Sequence, residues 1–409
     1  MIRHIRLRQL GVIAALLIGT MTFTALPAPA APASTVELLV FGYDATTQAW
    51  ATKTMANFNS SHKSIKLKIT VVPPDQMQQL LTTRVQGGTP PDIASAPTAW
   101  VPSFAAAGVL TDWSTVVSPA LVRSFNANLL SGSKFNGKLY SLPYLSSARA
   151  LFYNKDHFEA AGISTAPKTW EELVTQAATL NTSGQGKFPL SLQGTGNEAF
   201  AAWFPYFYWS YGGSFDGPNG KITIAQPACV KALTVLNTLI QTKATEPNPT
   251  SFDITEQLGA FTSGDAAMTV SGPWLVGMSK GVNFGVAPLP GGTVNTTLGV
   301  TDGWIQFKKS KNASKAAEVM KYLFTPSIAD AFVEGRGMLP TLTSGFKAAR
   351  YQSGPLKQFV SMLSNAKFVP LSPNWAKLST QGAKALQDMY VNGAAPQAVC
   401  SNLAKIAGS

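Results

Sequence analysis

Histidine, cysteine and charge are all scarce in this chain of 409 residues, which holds three His, two Cys and only 13% Asp, Glu, Lys and Arg. Beyond residue 30 the histidines are His62, read as a surface turn, and His157, read as the polar start of a helix. Neither has a ligand or a nucleophile at a useful spacing. No H-E-x-x-H, C-x-x-C, G-x-S-x-G or G-x-x-x-x-G-K-[ST] pattern occurs, so the usual metalloprotease, redox, serine-hydrolase and P-loop readings fall away. A metal centre of ordinary His and Cys ligands falls with them. Long hydrophobic runs are also missing. The stretch Leu10 to Met21 is too short for a membrane span of about 20 residues. The formal charge of +12 invites a nucleic-acid reading, but the basic residues stand singly or in short pairs such as Lys308-Lys309. Without a basic helix or a stripe of interleaved aromatics, that surplus reads as solvated surface, with steering of an anionic ligand as the alternative.

What is present begins with an export signal. Arg3, Arg6 and Arg8 precede the short apolar run, and Ala28-Pro29-Ala30 supplies small residues for cleavage. Residues 1–30 therefore read as a signal peptide, and loss of its three arginines takes the formal charge from +12 to +9. No cysteine follows the apolar run, so no lipid anchor is expected. Cys229 and Cys400 lie on the apolar faces of expected helices. An exported chain permits a disulfide between them, and two buried thiols remain the equal alternative.

Length and 45% hydrophobic composition suit two to three packed domains. Val36 to Phe41 reads as a buried strand, and Ala51, Met55 and Phe58 recur at helical spacing. Ile65, Leu67, Ile69 and Val71 alternate with polar residues as in a half-exposed strand, and Asp75 is the expected cap of a helix ending at Gly87-Gly88. Ile93 restarts the sheet, while Asp92 reads as satisfying loop backbone. This β-α-β-α-β order calls for parallel strands. Gly137 to Tyr144 is an extended aromatic run whose Pro143 is unfit for a central strand. It reads as chain leaving one sheet for another, followed by a buried strand from Ala148 to Tyr153 and a Thr169–Glu172 capping box. Eight aromatics crowd residues 200–211, most of them core. Leu298 to Trp304 reads as a return crossover, Gly335 to Pro340 as a last hinge strand, and Trp375 to Val391 and Pro396 to Ala407 as closing helices.

The succession G-K-L-Y-x-L-P at 137–143, Y-N-K at 153–155 and P-K-T-W-E-E-L at 167–173 resembles the family 1 extracellular solute-binding proteins of ABC importers, the maltose-binding-protein-like group. The resemblance implies an α/β, two-lobed periplasmic-binding-protein fold of type II. Hinge crossovers would join the lobes, with a ligand cleft between them. Residues 31–145 and 300–345 would form the N-terminal lobe, and 146–299 with 346–409 the C-terminal lobe. Cleft positions carried over are Tyr43, Asp44 and Trp100 from the first lobe and Ser147 from the first crossover. Gln193, Asn197, Trp203 and Trp274 follow from the second lobe, then Asp302 and Trp304 from the return crossover, and Trp375 last.

Such a cleft suits a sugar, whose C–H faces stack on aromatics and whose hydroxyls need polar partners. The implied protein is an exported, monomeric receptor, periplasmic or secreted. It would capture a mono- or oligosaccharide and pass it to the importer's transmembrane subunits, with no cofactor, no catalysis and no nucleic-acid partner. Two alternatives stay open: a secreted hydrolase using Asp44 and Asp302 across the cleft, and a receptor for a polyol, glycerophosphodiester or other polar solute.

Overall fold

A computed structural model describes residues 33–42, 45–195, 199–217 and 221–408. The expected signal peptide, and with it Tyr43, Asp44 and Asn197 of the expected site, lies outside the described residues.

The first lobe is built on β1 (Ser34–Phe41), β2 (Ile65–Val72) and β3 (Ile93–Pro97), with both outer strands parallel to β1. Alternation along β1 sends Val36, Leu38 and Val40 to one face, where Phe58 of the helix Ala45–Ser61 packs. Leu39 and Phe41 go to the other face, against Met77 and Leu81 of the helix Pro74–Gln86. Helices on both faces are what a buried parallel sheet requires. Asp92 acts as expected: its carboxylate accepts the Glu37 N–H at 2.7 Å and bonds Ser310, tying β1 to a distant loop. The cap of the Pro74–Gln86 helix differs from expectation. Pro73 occupies the cap position and makes no side-chain bond, the helix starting instead on the prolyl geometry at Pro74.

A two-residue hairpin, β4 (Lys134–Phe135) and β5 (Lys138–Leu139), leads into β6 (Leu142–Ala148). Beyond Arg149 the chain continues as β7 (Ala150–Asn154), which belongs to a different sheet. That second sheet runs β10-β7-β9-β8, with β8 (Phe188–Ser191), β9 (Ala266–Ser271) and β10 (Phe284–Ala287). The return strand β11 (Thr297–Gln306) pairs antiparallel with β3 and β6 in the first sheet, and its start pairs with β12 (Ala366–Lys367). Pro143 is accommodated as its missing N–H demands. β6 lies off the main path of the sheet, and its register with β11 slips between Asp302 and Gly303, beside the proline.

The second lobe's core surrounds the helix Ala199–Ser210, in which Phe200, Trp203, Phe204, Tyr206, Phe207, Tyr208 and Trp209 are all buried. The helices Trp375–Asn392 and Pro396–Gly408 close over it. Cys400 of the last helix is disulfide-bonded to Cys229 of the helix Gln226–Gln241, across 171 residues.

Two local expectations need correction. Thr169 Oγ1 caps through the Glu172 N–H at 3.1 Å, but the Glu172 carboxylate takes the Lys168 N–H, one residue early, so the reciprocal box is not formed. A full capping box occurs at Asp253 and Glu256 instead. The third crossing is not a strand: Gly335 ends a helix, and only Leu339 bridges β6, through Ser146.

Candidate functional site

Three passages of chain meet where the two sheets are joined: the β6–β7 junction, β11, and the segment 335–341. Their contacts are dominated by short polar side chains. Thr98 Oγ1 donates to the Thr301 carbonyl at 2.6 Å and lies 2.6 Å from its hydroxyl. Thr297 Oγ1 accepts the Arg149 N–H at 3.0 Å and donates to the Arg149 carbonyl at 2.6 Å. Ser146 and Thr341 hydroxyls bond the Pro340 and Pro143 carbonyls. Hydroxyls here satisfy backbone that a regular ladder would otherwise have paired.

Arg149 is the charged group at the β6–β7 crossing itself. Its Nη1 donates to Ser147 Oγ at 3.2 Å, and its guanidinium lies 4.9 Å from the centre of the Trp274 ring, a cation–π distance. Trp274 opens a one-turn helix after Gly272-Pro273. Two glycines fix its place. A Cβ on Gly272 would overlap the indole, and one on Gly337 would sit 3.1 Å from the Trp274 Cα. Gly337 also has φ +62°, a conformation that favours glycine. Its neighbour Arg336 reaches the first lobe, donating to the Phe41 carbonyl at 3.1 Å and lying over the Phe41 and Phe332 rings. Residues 336–337 thus touch the end of β1 and Trp274 together.

Of the expected site residues, Ser147 is buried in β6, opposite Val300 of β11, and Trp274 is half-buried beside Arg149. Asp302 is half-buried on β11, near enough to Tyr144 to reinforce the rise in that phenol's pKa caused mainly by burial, while Arg336 opposes it. Trp100 is half-buried in the turn after β3, and Ala99 beside it packs against the second lobe's core. Gln193 is buried just past β8. The next residue must be glycine, because a Cβ on Gly194 would overlap the Pro249 carbonyl oxygen.

Three tryptophans sit elsewhere. Trp304 is 2% exposed and stacked on Tyr144 at 4.1 Å inside the first lobe. Trp203 is 2% and Trp375 4% exposed, both in the second lobe's core, where Phe200 and Phe215 flank Trp375. Their rings are already covered by protein. Arg149 and Arg336 went unrecognised in the sequence, since a lone Arg between small or apolar residues carries no spacing signal. The only cue was that each interrupts a crossover.

The chain matches the model of the bacterial extracellular solute-binding protein family over residues 42–330. It is 31% identical over 384 residues to a binding protein of Brucella abortus, covering 92% of this chain and 93% of that one. It is 26% identical to the maltodextrin-binding protein MdxE of Bacillus subtilis, covering 79% of this chain and 78% of that one. The crystal structure of the cyclic α-maltosyl-1,6-maltose binding protein from Arthrobacter globiformis shares its fold, with a TM-score of 0.80 at 22% identity over 92% of this chain and 98% of that one. Two sheets joined by crossing strands, with this match spanning most of the chain, make it a member of the bacterial extracellular solute-binding protein family.

Proposed function

We propose that this protein is the exported receptor of an ABC importer, capturing a carbohydrate between its lobes and delivering it to the membrane subunits. The observation that carries this reading is the seam itself. Trp274, from the second lobe, is held against a crossover residue, Arg149, and against Gly337, whose neighbour Arg336 grips the first lobe. An aromatic face so placed is suited to stacking on a sugar as the lobes close. The lobes are divided as 31–145 with 300–345 and 146–299 with 346–409, export depends on cleavage of residues 1–30, and the receptor works as a monomer without catalysis. Trp100, Ser147, Gln193, Trp274 and Asp302 form the ligand site with Tyr43, Asp44 and Asn197. Trp203, Trp304 and Trp375 are withdrawn from it, because core neighbours cover their rings. Arg149 favours a second reading, an anionic solute such as a uronic acid or glycerol phosphate.

The test is thermal unfolding of the mature chain against maltose, maltotriose, glucuronic acid, glycerol and sn-glycerol 3-phosphate. A ligand present at about 100 times its dissociation constant adds about 2.7 kcal/mol. A selective rise in midpoint establishes the receptor and its solute class; no rise with any compound overturns the sugar reading.

A further inference from the structure

Lysines that stand apart in the sequence are gathered by the fold at one end of the first lobe. Strands β1, β2 and β3 run parallel, with their carboxyl ends toward the seam, where Arg336 meets the Phe41 carbonyl and Thr98 meets Thr301. Their amino ends form the opposite pole. β11 runs back the other way, so Gln306 pairs with Ile93 and the chain leaves the sheet at that pole through Lys308, Lys309 and Lys311. Asn312 Nδ2 then donates to the Thr35 carbonyl at 2.7 Å, and Ser310 bonds Asp92, which fixes this loop against the starts of β1 and β3. On the other side of β1, the Ser34 N–H donates to the Ser64 carbonyl at 3.2 Å, and Thr35 pairs with Lys66. Lys63 and Lys66 therefore stand at the same pole as the loop, and Lys315 of the helix Ala313–Leu323 bonds Ser34 between them.

Lys63, Lys66, Lys308, Lys309 and Lys311 are exposed, and among the described residues none of them takes part in an ion pair. The acids nearby are mostly engaged. Asp92 is buried, Glu37 is paired with Arg84 at 2.6 Å, and the Asp112 carboxylate accepts from Ser114 and Leu139. Glu318, on the helix of Lys315, is the exposed one. A pole of one sign attracts a surface of the other. We infer that this pole docks reversibly on the anionic phospholipid headgroups of the membrane that carries the importer. This rests on the reading of the protein as exported without a lipid anchor. Basic clusters of about four to eight residues suffice for such a hold, and its pull fades beyond about 10 Å at about 0.1 M salt. The exposed large apolar residues, Ile254, Met278, Val294 and Val391, lie in other parts of the chain, so the contact is one of charge, without insertion into the acyl layer. At about 3.4 Å per residue, the ten residues of β11 keep the seam about 30 Å from the lysines. A receptor held by this pole has its cleft clear of the lipid and free to load.

The experiment is co-sedimentation of the mature chain with vesicles of phosphatidylglycerol and phosphatidylcholine, with vesicles of phosphatidylcholine alone, and in competition with duplex DNA. The triple variant Lys308→Glu, Lys309→Glu, Lys311→Glu is compared with Lys231→Glu, Lys384→Glu, Lys405→Glu. The second set makes the same change of net charge at exposed positions on helices of the second lobe. Wild type should bind the phosphatidylglycerol vesicles, come off as salt rises, and ignore phosphatidylcholine. The pole variant should lose about tenfold or more in apparent affinity, and the control variant less than about threefold. Equal losses would assign the attraction to net charge and overturn the inference. No vesicle binding by wild type would also overturn it, as would duplex DNA bound more tightly than the vesicles. Thermal shifts with sugar are measured on the same three proteins and should agree, so the vesicle result and the receptor reading fail separately.

Discussion

Trp274 is held by what its neighbours lack. Gly272 and Gly337 have no Cβ, and either methyl would collide with the tryptophan or press on it. Arg149 covers one side of the ring. If that ring stacks on ligand, Trp274→Ala should weaken sugar binding by about 1–3 kcal/mol, the usual cost of losing an interface aromatic. Calorimetry with a sugar that raises the wild-type midpoint checks it, and unchanged affinity removes Trp274 from the site. Trp304→Ala is the contrast. Its ring stacks on Tyr144 in the first lobe's core, so about 3–5 kcal/mol of stability should be lost. Denaturant titration reads that loss. Glu246 carries a pH dependence of its own. Burial pushes its carboxyl from 4.5 up to about 7. The folded state therefore binds a proton that the unfolded state has released between those values. The resulting stabilisation is complete below about pH 4.5 and lost as pH rises through about 7, up to about 3 kcal/mol in all. Unfolding midpoints of Glu246→Gln and wild type should diverge in favour of the variant between pH 5 and 8; parallel profiles would place the carboxyl's pKa near its ordinary value.

At the level of elements, most of the fold was legible because its strands and helices follow simple periodicities. Ile65, Leu67 and Ile69 are buried while Lys66 and Lys68 are exposed, as alternation requires. Thr297–Gln306 returns to the first sheet, as the reading of Leu298 to Trp304 as a return crossover implied. What failed was chemistry decided by neighbours distant in sequence. Gly335 to Pro340 has the letters of a hinge strand, but helix Pro326–Gly335 extends into it and only Leu339 finds a ladder partner. Local sequence did set Trp274, in a loop after Gly272-Pro273, apart from Trp203, in a run crowded with aromatics that pack on it within its own helix, but nothing local shows that Phe200 and Phe215 cover Trp375. The disulfide was undecidable for the same reason, since two cysteines on apolar helix faces can equally be packed thiols. Its closure of a 171-residue loop is worth about 5 kcal/mol in the loop-entropy account, and losing a native disulfide costs about 2–5 kcal/mol in practice. Cys229→Ser with Cys400→Ser should lower the denaturant midpoint accordingly, and ligand affinity should hardly change, because the bridge joins two helices of one lobe's core.

For the whole molecule, the seam's composition bears on how the lobes move. The joining passages are tied by short hydroxyl side chains to backbone, so in the proposed closure, a rotation of one lobe on the other, Thr98–Thr301 would travel with the first sheet and Thr297–Arg149 would sit at the crossover. The contact most exposed to such a rotation is the one spanning both lobes, Arg336 to Phe41 with Gly337 against Trp274. Gly337→Ala should therefore act on closure as well as on stability. Positive φ in a non-glycine residue costs about 1–2 kcal/mol, and the added methyl presses on the Trp274 backbone, the group that should meet ligand. Small-angle scattering of wild type with and without a saturating sugar should show a smaller radius of gyration when bound. In Gly337→Ala that contraction should be reduced and the affinity lowered. Full contraction at wild-type affinity would mean that residues 336–337 ride passively on one lobe, and that closure is governed by β6 and β11 alone.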